Sequence, residues 1–516
     1  MIKNENIIKE EQLTRILSHD KIRDLLQIEI SAFPLSYYFM CQFISSEIYS
    51  SIESDFEVDE KTEESKRYRE LIKRVVFYLK GSWKKIKTQD NGYDILFFSR
   101  DRFFKIRMEN GEEIVSDYLF GNVIHLLRKR FPNYRMVLIS TEFNPVPTID
   151  DIELHNLAEY STPLIFIKSA LFTPFYYIKW KINEKSIVNY IKNTDLKYLV
   201  KFFDNFFSFN NLFYLIFYDY SLQKALEKTK PKLILANDDV MSLKPKTRNK
   251  KIKMALVQSA SMIKIYETLK NIFITNFRLN EYITDYFLVS GSKYKEIKEN
   301  SKDHKNIIVT GQPRYDILYY GKKLYDKEKI MKAYDINRDQ KIILWTTDCH
   351  SMNNKENIQN FEAIFKAIRV LKNVKLIIKQ HPAEEIKYTK QIKMYSEKYK
   401  VEAIIVPKYS DTIELLFICD LMITKASTTA REAIAIGKPV IIFNLSGKPD
   451  ILEYVKEKVA IGVYREEELK SAIEIQLKED KNLNDDREHY ISKYLYKIDG
   501  VSSDRLIQVA KNIINE

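Results

Sequence analysis

At 516 residues the chain is longer than one hydrophobic core usually supports, so at least two domains are expected. Hydrophobic residues make up 45% of it and aromatics 13%, with only 11 glycines, which excludes disordered and fibrous classes. Lys and Arg outnumber Asp and Glu by 83 to 71, a formal charge of +12 that reads either as attraction to anions or as a chain-wide lysine bias. The longest basic block, Lys244 to Lys253, carries no interleaved aromatics, so no nucleic-acid partner is expected.

The amino-terminal residues up to about Lys80 read as helices with polar interruptions, including the acidic, linker-like Ser54 to Lys66. This terminus is charged throughout and lacks a signal-peptide core, and no apolar run has the length needed to span a bilayer. Three widely spaced cysteines (Cys41, Cys349, Cys419) suit a reducing compartment, and the seven scattered histidines form no metal-binding pattern. A cytoplasmic protein without metal or other cofactor is expected.

Tyr93 to Ser99 and Tyr134 to Ser140 are short apolar runs with the character of buried strands. Between them, Ser116 to Phe131 has helical spacing, with Ser116 or Asp117 as its start. From Ser161 to Tyr220 the chain is dense in Phe and Tyr with lysines between. That stretch reads as a helical subdomain packed on the sheet, or as a patch resting on an anionic membrane with its aromatics inserted. Strands then recur at Pro231 to Val240, Lys251 to Ala260, Asp285 to Ser292 and Asn306 to Asp316. A second series follows at Lys341 to Ser351, Val374 to Pro382, Val401 to Asp411, Asp420 to Ser427 and Lys438 to Asn444, with helices between. Alternation of this kind implies parallel sheets. The closing segment reads as a helix capped by Ser502 or Ser503.

Within the second series, His381 and the hydroxyl turn Ser427, Thr428 and Thr429 fall at strand ends, where open α/β sheets bind ligands. Hydroxyls and backbone N–H groups at a helix start favour an anion, so this stretch reads as one wall of a nucleotide-diphosphate site. Lys379, Lys425 and Arg314 are further candidates for countering phosphate charge; Arg314 reads equally as an interdomain salt bridge. Thr347 and His350, in the loop after the first strand of this series, are donor-contact candidates. Asp238 and Asp239 end an amino-terminal strand; a carboxylate pair there suits a general base, and suits a capped turn as well.

With these segments in place, the chain resembles the two-Rossmann-domain (GT-B) glycosyltransferases, in the capsule and teichoic-acid branch with CDP-glycerol glycerophosphotransferases and bacterial polysialyltransferases. The residues that carry the likeness are Thr310 to Asp316, His381-Pro382, Asp420 to Pro439, and Asp499-Gly500 with Ser502-Ser503. The resemblance implies an α/β fold of two Rossmann-like domains facing across a cleft. Residues 1–320 would form the acceptor domain, with an aromatic-rich helical insertion at about 151–230. Residues 321–495 would form the donor domain, and residues 496–516 a helix packing back on the first.

It also implies transfer from a nucleotide-diphosphate or nucleotide-monophosphate sugar (or activated polyol phosphate) to a surface glycan or lipid-linked acceptor, at the inner face of the membrane. His381 would meet the donor phosphates, Ser427 to Thr429 would cradle phosphate oxygens, and Glu432 would accept bonds from the ribose. A sugar-nucleotide epimerase and a non-catalytic binding protein on the same fold are the alternatives. The sequence departs from the family pattern at Gln258-Ser259-Ala260, where Gln-His-Gly is common, and at Lys425, where an Asp often precedes the hydroxyl turn.

Overall fold

The computed structural model describes residues 2–52, 92–100, 102–141, 147–238, 241–247, 251–259, 264–478 and 484–516. The acidic stretch Ser54 to Lys66, Asp239 and Ala260 lie outside them.

Two parallel sheets organise the chain. The first holds β1 (Ile95–Ser99), β4 (Met136–Ser140), β5 (Glu153–Asn156), β6 (Leu233–Asn237), β7 (Lys253–Val257), β8 (Thr284–Val289) and β9 (His304–Val309), in the order β5-β4-β1-β6-β7-β8-β9. The second holds β10 (Lys341–Thr346), β11 (Val374–Lys379), β12 (Ala403–Val406), β13 (Leu421–Thr424), β14 (Val440–Phe443) and β15 (Ile461–Val463), in the order β12-β11-β10-β13-β14-β15. Every pairing in both sheets is parallel. Strands covered on both faces must be apolar throughout, and β1, β4 and β6 are buried at every position. The chain thus folds as two Rossmann-like α/β lobes, the fold class expected. In each sheet the strand order reverses once, between β1 and β6 and between β10 and β13. A doubly wound sheet opens a ligand crevice at that point, outside the carboxyl ends of its strands.

Three local expectations are corrected. The helix after β1 begins at Gly121, not at Ser116 or Asp117. Those residues close β3 (Glu113–Asp117), which pairs antiparallel with β2 (Phe103–Arg107) in a hairpin turning at Asn110-Gly111. The Asp117 carboxylate accepts the N–H groups of Leu119 and Phe120 at 2.9 and 2.7 Å, ending the strand in a turn before the helix starts. Within the stretch expected as a helical insertion, β5 is the edge strand of the first sheet, and the helices run Pro163–Lys192, Leu199–Phe206 and Phe209–Thr229.

The closing helix, Ser502–Asn515, has no serine cap. Its first N–H groups, on Ser502 and Ser503, both donate at 2.8 Å to the buried carboxylate of Asp316. This helix buries Leu506, Ile507, Ala510 and Ile513 against Phe97 and Leu127 on the first sheet's side of the molecule. Gly311 at φ +77° makes the contact fit: a Cβ there would lie 2.6 Å from the Ser502 hydroxyl.

The lobes meet around the hairpin and the junction. Arg107 lies 3.9 Å from Glu414, the Phe104 and Tyr409 rings are 6.1 Å apart, and Arg314 lies 3.4 Å from Glu432. On the other flank, the Tyr494 carbonyl accepts the Ser290 hydroxyl at 2.9 Å, and the Tyr494 hydroxyl donates to Glu457 at 2.8 Å.

Candidate functional site

The carboxyl ends of β11, β10 and β13 lie side by side, so the loops that leave them form one continuous wall. At about 4.8 Å per strand spacing, the loops of β11 and β13 are roughly 10 Å apart across β10. His381 leaves β11, Asp348 and His350 leave β10, and Lys425 to Thr429 leave β13.

His381 and His350 stack, with ring centroids 4.2 Å apart and planes inclined by 19°. His381 is exposed, yet the protein atoms around it keep bulk water from fully solvating a charge. Burial, then the neighbouring His350, push its pKa down to about 4. Arg102 of the amino-terminal lobe acts weakly in the same direction. Nδ1 of His381 accepts the Ala383 N–H at 3.1 Å. The neutral ring accordingly carries its proton on Nε2, as a donor.

Glu384 braces this pair from beneath. Its buried carboxylate accepts the Thr347 hydroxyl at 2.9 Å, the Cys349 N–H at 2.7 Å and the Gln380 amide at 3.1 Å, and lies 4.0 Å from Nδ1 of His350. Burial pushes its pKa up, but the nearby His350 and the bonds from Thr347, Cys349 and Gln380 outweigh it and hold the carboxylate below the usual range.

On the other side of His350, Asp348 accepts the Ala426 N–H at 3.3 Å, tying β10 to the hydroxyl turn at the strand-order reversal. Burial, with a contribution from Glu384, raises its pKa to about 6 against the opposing pull of His350 and Lys425. Lys425 is half-buried, and burial holds its ammonium below the usual range despite Glu356 and Asp348. The Ser427 hydroxyl accepts the Thr429 N–H at 3.1 Å, leaving Ser427, Thr428 and Thr429 half-buried at the tip of the short helix Thr429–Ala435.

Of the residues singled out in the sequence, the structure therefore brings His381, His350, Lys425 and Ser427 to Thr429 onto one wall. Thr347 stands behind it, its hydroxyl given to Glu384. Lys379 is buried and donates to the carbonyls of Gln380, at 3.0 Å, and of Lys408. Burial pushes its pKa down to about 8. Arg314 and Glu432 are brought together as the interdomain salt bridge that was one reading of Arg314. The guanidinium also bonds the hydroxyls of Tyr118 and Tyr315 and lies over both rings.

Asp238, at the reversal point of the first sheet, accepts the Ser259 N–H at 2.8 Å and its hydroxyl at 2.7 Å. Ser259 thus engages the carboxylate where the family pattern has histidine. Gln258 is a tie between strands, its amide oxygen taking the Ser290 N–H at 2.9 Å.

Sequence reasoning missed Glu384, Asp348 and Arg102. A carboxylate three residues after a strand-end histidine is one chain turn away from folding back beneath it, and that spacing was the available signal for Glu384.

Comparison with known proteins gives partial likenesses and assigns no family. The family described as UDP-N-acetylglucosamine 2-epimerase matches residues 281–511, less than half of the chain. A processive diacylglycerol beta-glucosyltransferase from Bacillus licheniformis is 24% identical over 382 residues, covering 71% of this chain and 89% of that enzyme. A teichoic acid poly(ribitol-phosphate) polymerase from Bacillus spizizenii is 25% identical over 160 residues, 30% of this chain and 24% of that polymerase. Among solved structures, a wall teichoic acid polymerase superposes with a TM-score of 0.46 at 13% identity, over 94% of this chain and 99% of that one.

Proposed function

We propose that the protein is a glycosyltransferase that moves a sugar or polyol phosphate from a nucleotide-activated donor to a glycan or lipid-linked acceptor. The observation that carries the proposal is the wall itself: a neutral imidazole with its proton on Nε2, braced by Glu384, in line with Lys425 and the Ser427–Thr429 turn. The similarity to a diacylglycerol glucosyltransferase over most of that enzyme's length supports the same reading.

In the proposed step an acceptor hydroxyl attacks the donor carbon (or phosphorus), and the bond to the nucleotide's phosphate oxygen breaks. The electron pair leaves on that oxygen, and the acceptor's proton passes to a carboxylate. His381 Nε2–H, the Lys425 ammonium and the turn's N–H and hydroxyl groups would stabilise the charge that develops. Asp238, just after β6 on the opposite lobe, or Asp239 next to it in the sequence is the proposed base.

A second reading is an epimerase, favoured by the family match over residues 281–511. A panel of CDP-, CMP-, UDP- and GDP-activated donors, assayed with and without lipid acceptor, separates the two. Acceptor-dependent nucleotide release supports the transferase; a sugar isomerised while still attached to its nucleotide supports the epimerase.

A further inference from the structure

The helix Pro163–Lys192 presents two opposite faces. One, with Tyr176, Trp180, Ile187 and Ile191, is buried against the core. On the other, Leu164, Ile167, Leu171, Phe175, Ile178 and Ile182 are 48% to 75% exposed. Their spacing of three and four residues draws one continuous apolar stripe about 27 Å long. At 100° per residue, Lys168 and Lys179 border the stripe on one edge, and Lys181 and Lys185 on the other. The helix has a single acidic residue, Glu184, and it is bonded to Lys181 at 2.8 Å. An apolar strip of this length between two basic margins is not ordinary soluble surface.

We infer that this face docks on a bilayer carrying anionic headgroups, lying in its plane with the stripe below headgroup level and the lysines at it. The charge pattern selects this occupant over a second copy of the chain. Stripe against stripe would set lysine rows against lysine rows with nothing to neutralise them, whereas anionic headgroups complement both margins. Among the described residues no helix is long and apolar enough to cross a membrane, so contact by this helix is from one side. It starts seven residues beyond β5, at the carboxyl end of the first sheet, the end that faces the cleft. Docking there would bring the cleft toward a lipid-borne acceptor. That consequence rests on the transferase reading; the docking itself does not.

The test is sedimentation of the full-length protein with phosphatidylcholine vesicles, with and without phosphatidylglycerol. Wild type is expected to sediment with the anionic vesicles and to be released by salt. Leu171→Asp/Ile178→Asp and, separately, Lys168→Glu/Lys179→Glu are expected to weaken retention by about tenfold or more. Both pairs are on the surface, and thermal unfolding checks that they fold. Donor cleavage in solution by the Asp variant should equal wild type, which keeps failure of docking apart from failure of the transferase reading. Wild type left in the supernatant, or variants that sediment as wild type does, overturns the proposal. So does a dimer in light scattering that the Asp variant dissolves while no vesicle is bound.

Discussion

The imidazoles of His350 and His381 lie in stacked contact, 4.2 Å between centroids, above a carboxylate that reaches only His350 directly. A charge on one ring penalises a charge on the other, and burial, then the neighbouring His350, disfavours the charged form of His381. His381 is therefore expected to titrate near pH 4. In His350→Ala its pKa should rise, because a repelling neighbour is gone and water enters. Histidine proton NMR as a function of pH checks this; a His381 signal titrating near 6.5 in wild type would contradict the depression that burial and His350 impose.

Glu384 is a stability element with a pH signature. Its folded pKa is depressed, so its contribution is present above the ordinary carboxylate range and is lost as pH falls through the lower folded value. Glu384→Gln should unfold at lower temperature at pH 7, with the gap narrowing on acidification. Glu384→Ala, which strands the Thr347 hydroxyl, the Cys349 N–H and the Gln380 amide, should cost about 3 kcal/mol. Denaturant melts at pH 7 and pH 4 measure both.

Asp316 caps a helix nearly two hundred positions further along the chain. Asp316→Ala is expected to cost about 1–2 kcal/mol, with the loss concentrated at the start of Ser502–Asn515. Amide exchange should speed up at Ser502 and Ser503 while β10 to β15 keep their protection. Uniform loss across both sheets would contradict a local cap.

The Arg314–Glu432 pair joins the lobes through buried charge. Arg314→Met and Glu432→Met are each expected to destabilise strongly, because each leaves a charge behind. The double variant should recover part of the loss, with a coupling of about 1–3 kcal/mol. Strict additivity in a denaturant cycle would show that the two do not interact.

Much of the fold was legible because buried parallel strands are written as uninterrupted apolar runs: β1, β4, β6, β10, β11 and β13 each announce themselves. The hairpin β2–β3 did not, since its strands are only half-covered and alternate weakly, although Asn110-Gly111 is the dipeptide such turns favour. The helix Pro163–Lys192 was visible as an aromatic stretch, but apolar residues all round it hid which face would be left bare. His381 and the hydroxyl turn could be found because strand ends are where such sheets bind ligands. Glu384 could not be told from a surface glutamate. Only the fold gathers three donors around it, and a cap such as Asp316 on Ser502 exists only once distant segments meet.

In the proposed transfer, His381 donates from Nε2 to the departing nucleotide. That donation is tested most directly by single-turnover cleavage of whichever activated donor wild type turns over, in His381→Ala and in His381→Gln, whose side-chain amide places a donor near the position of Nε2. A loss of about a hundredfold or more is expected in His381→Ala, with an unchanged melting temperature, and partial recovery in His381→Gln. A wild-type rate in His381→Ala would contradict it.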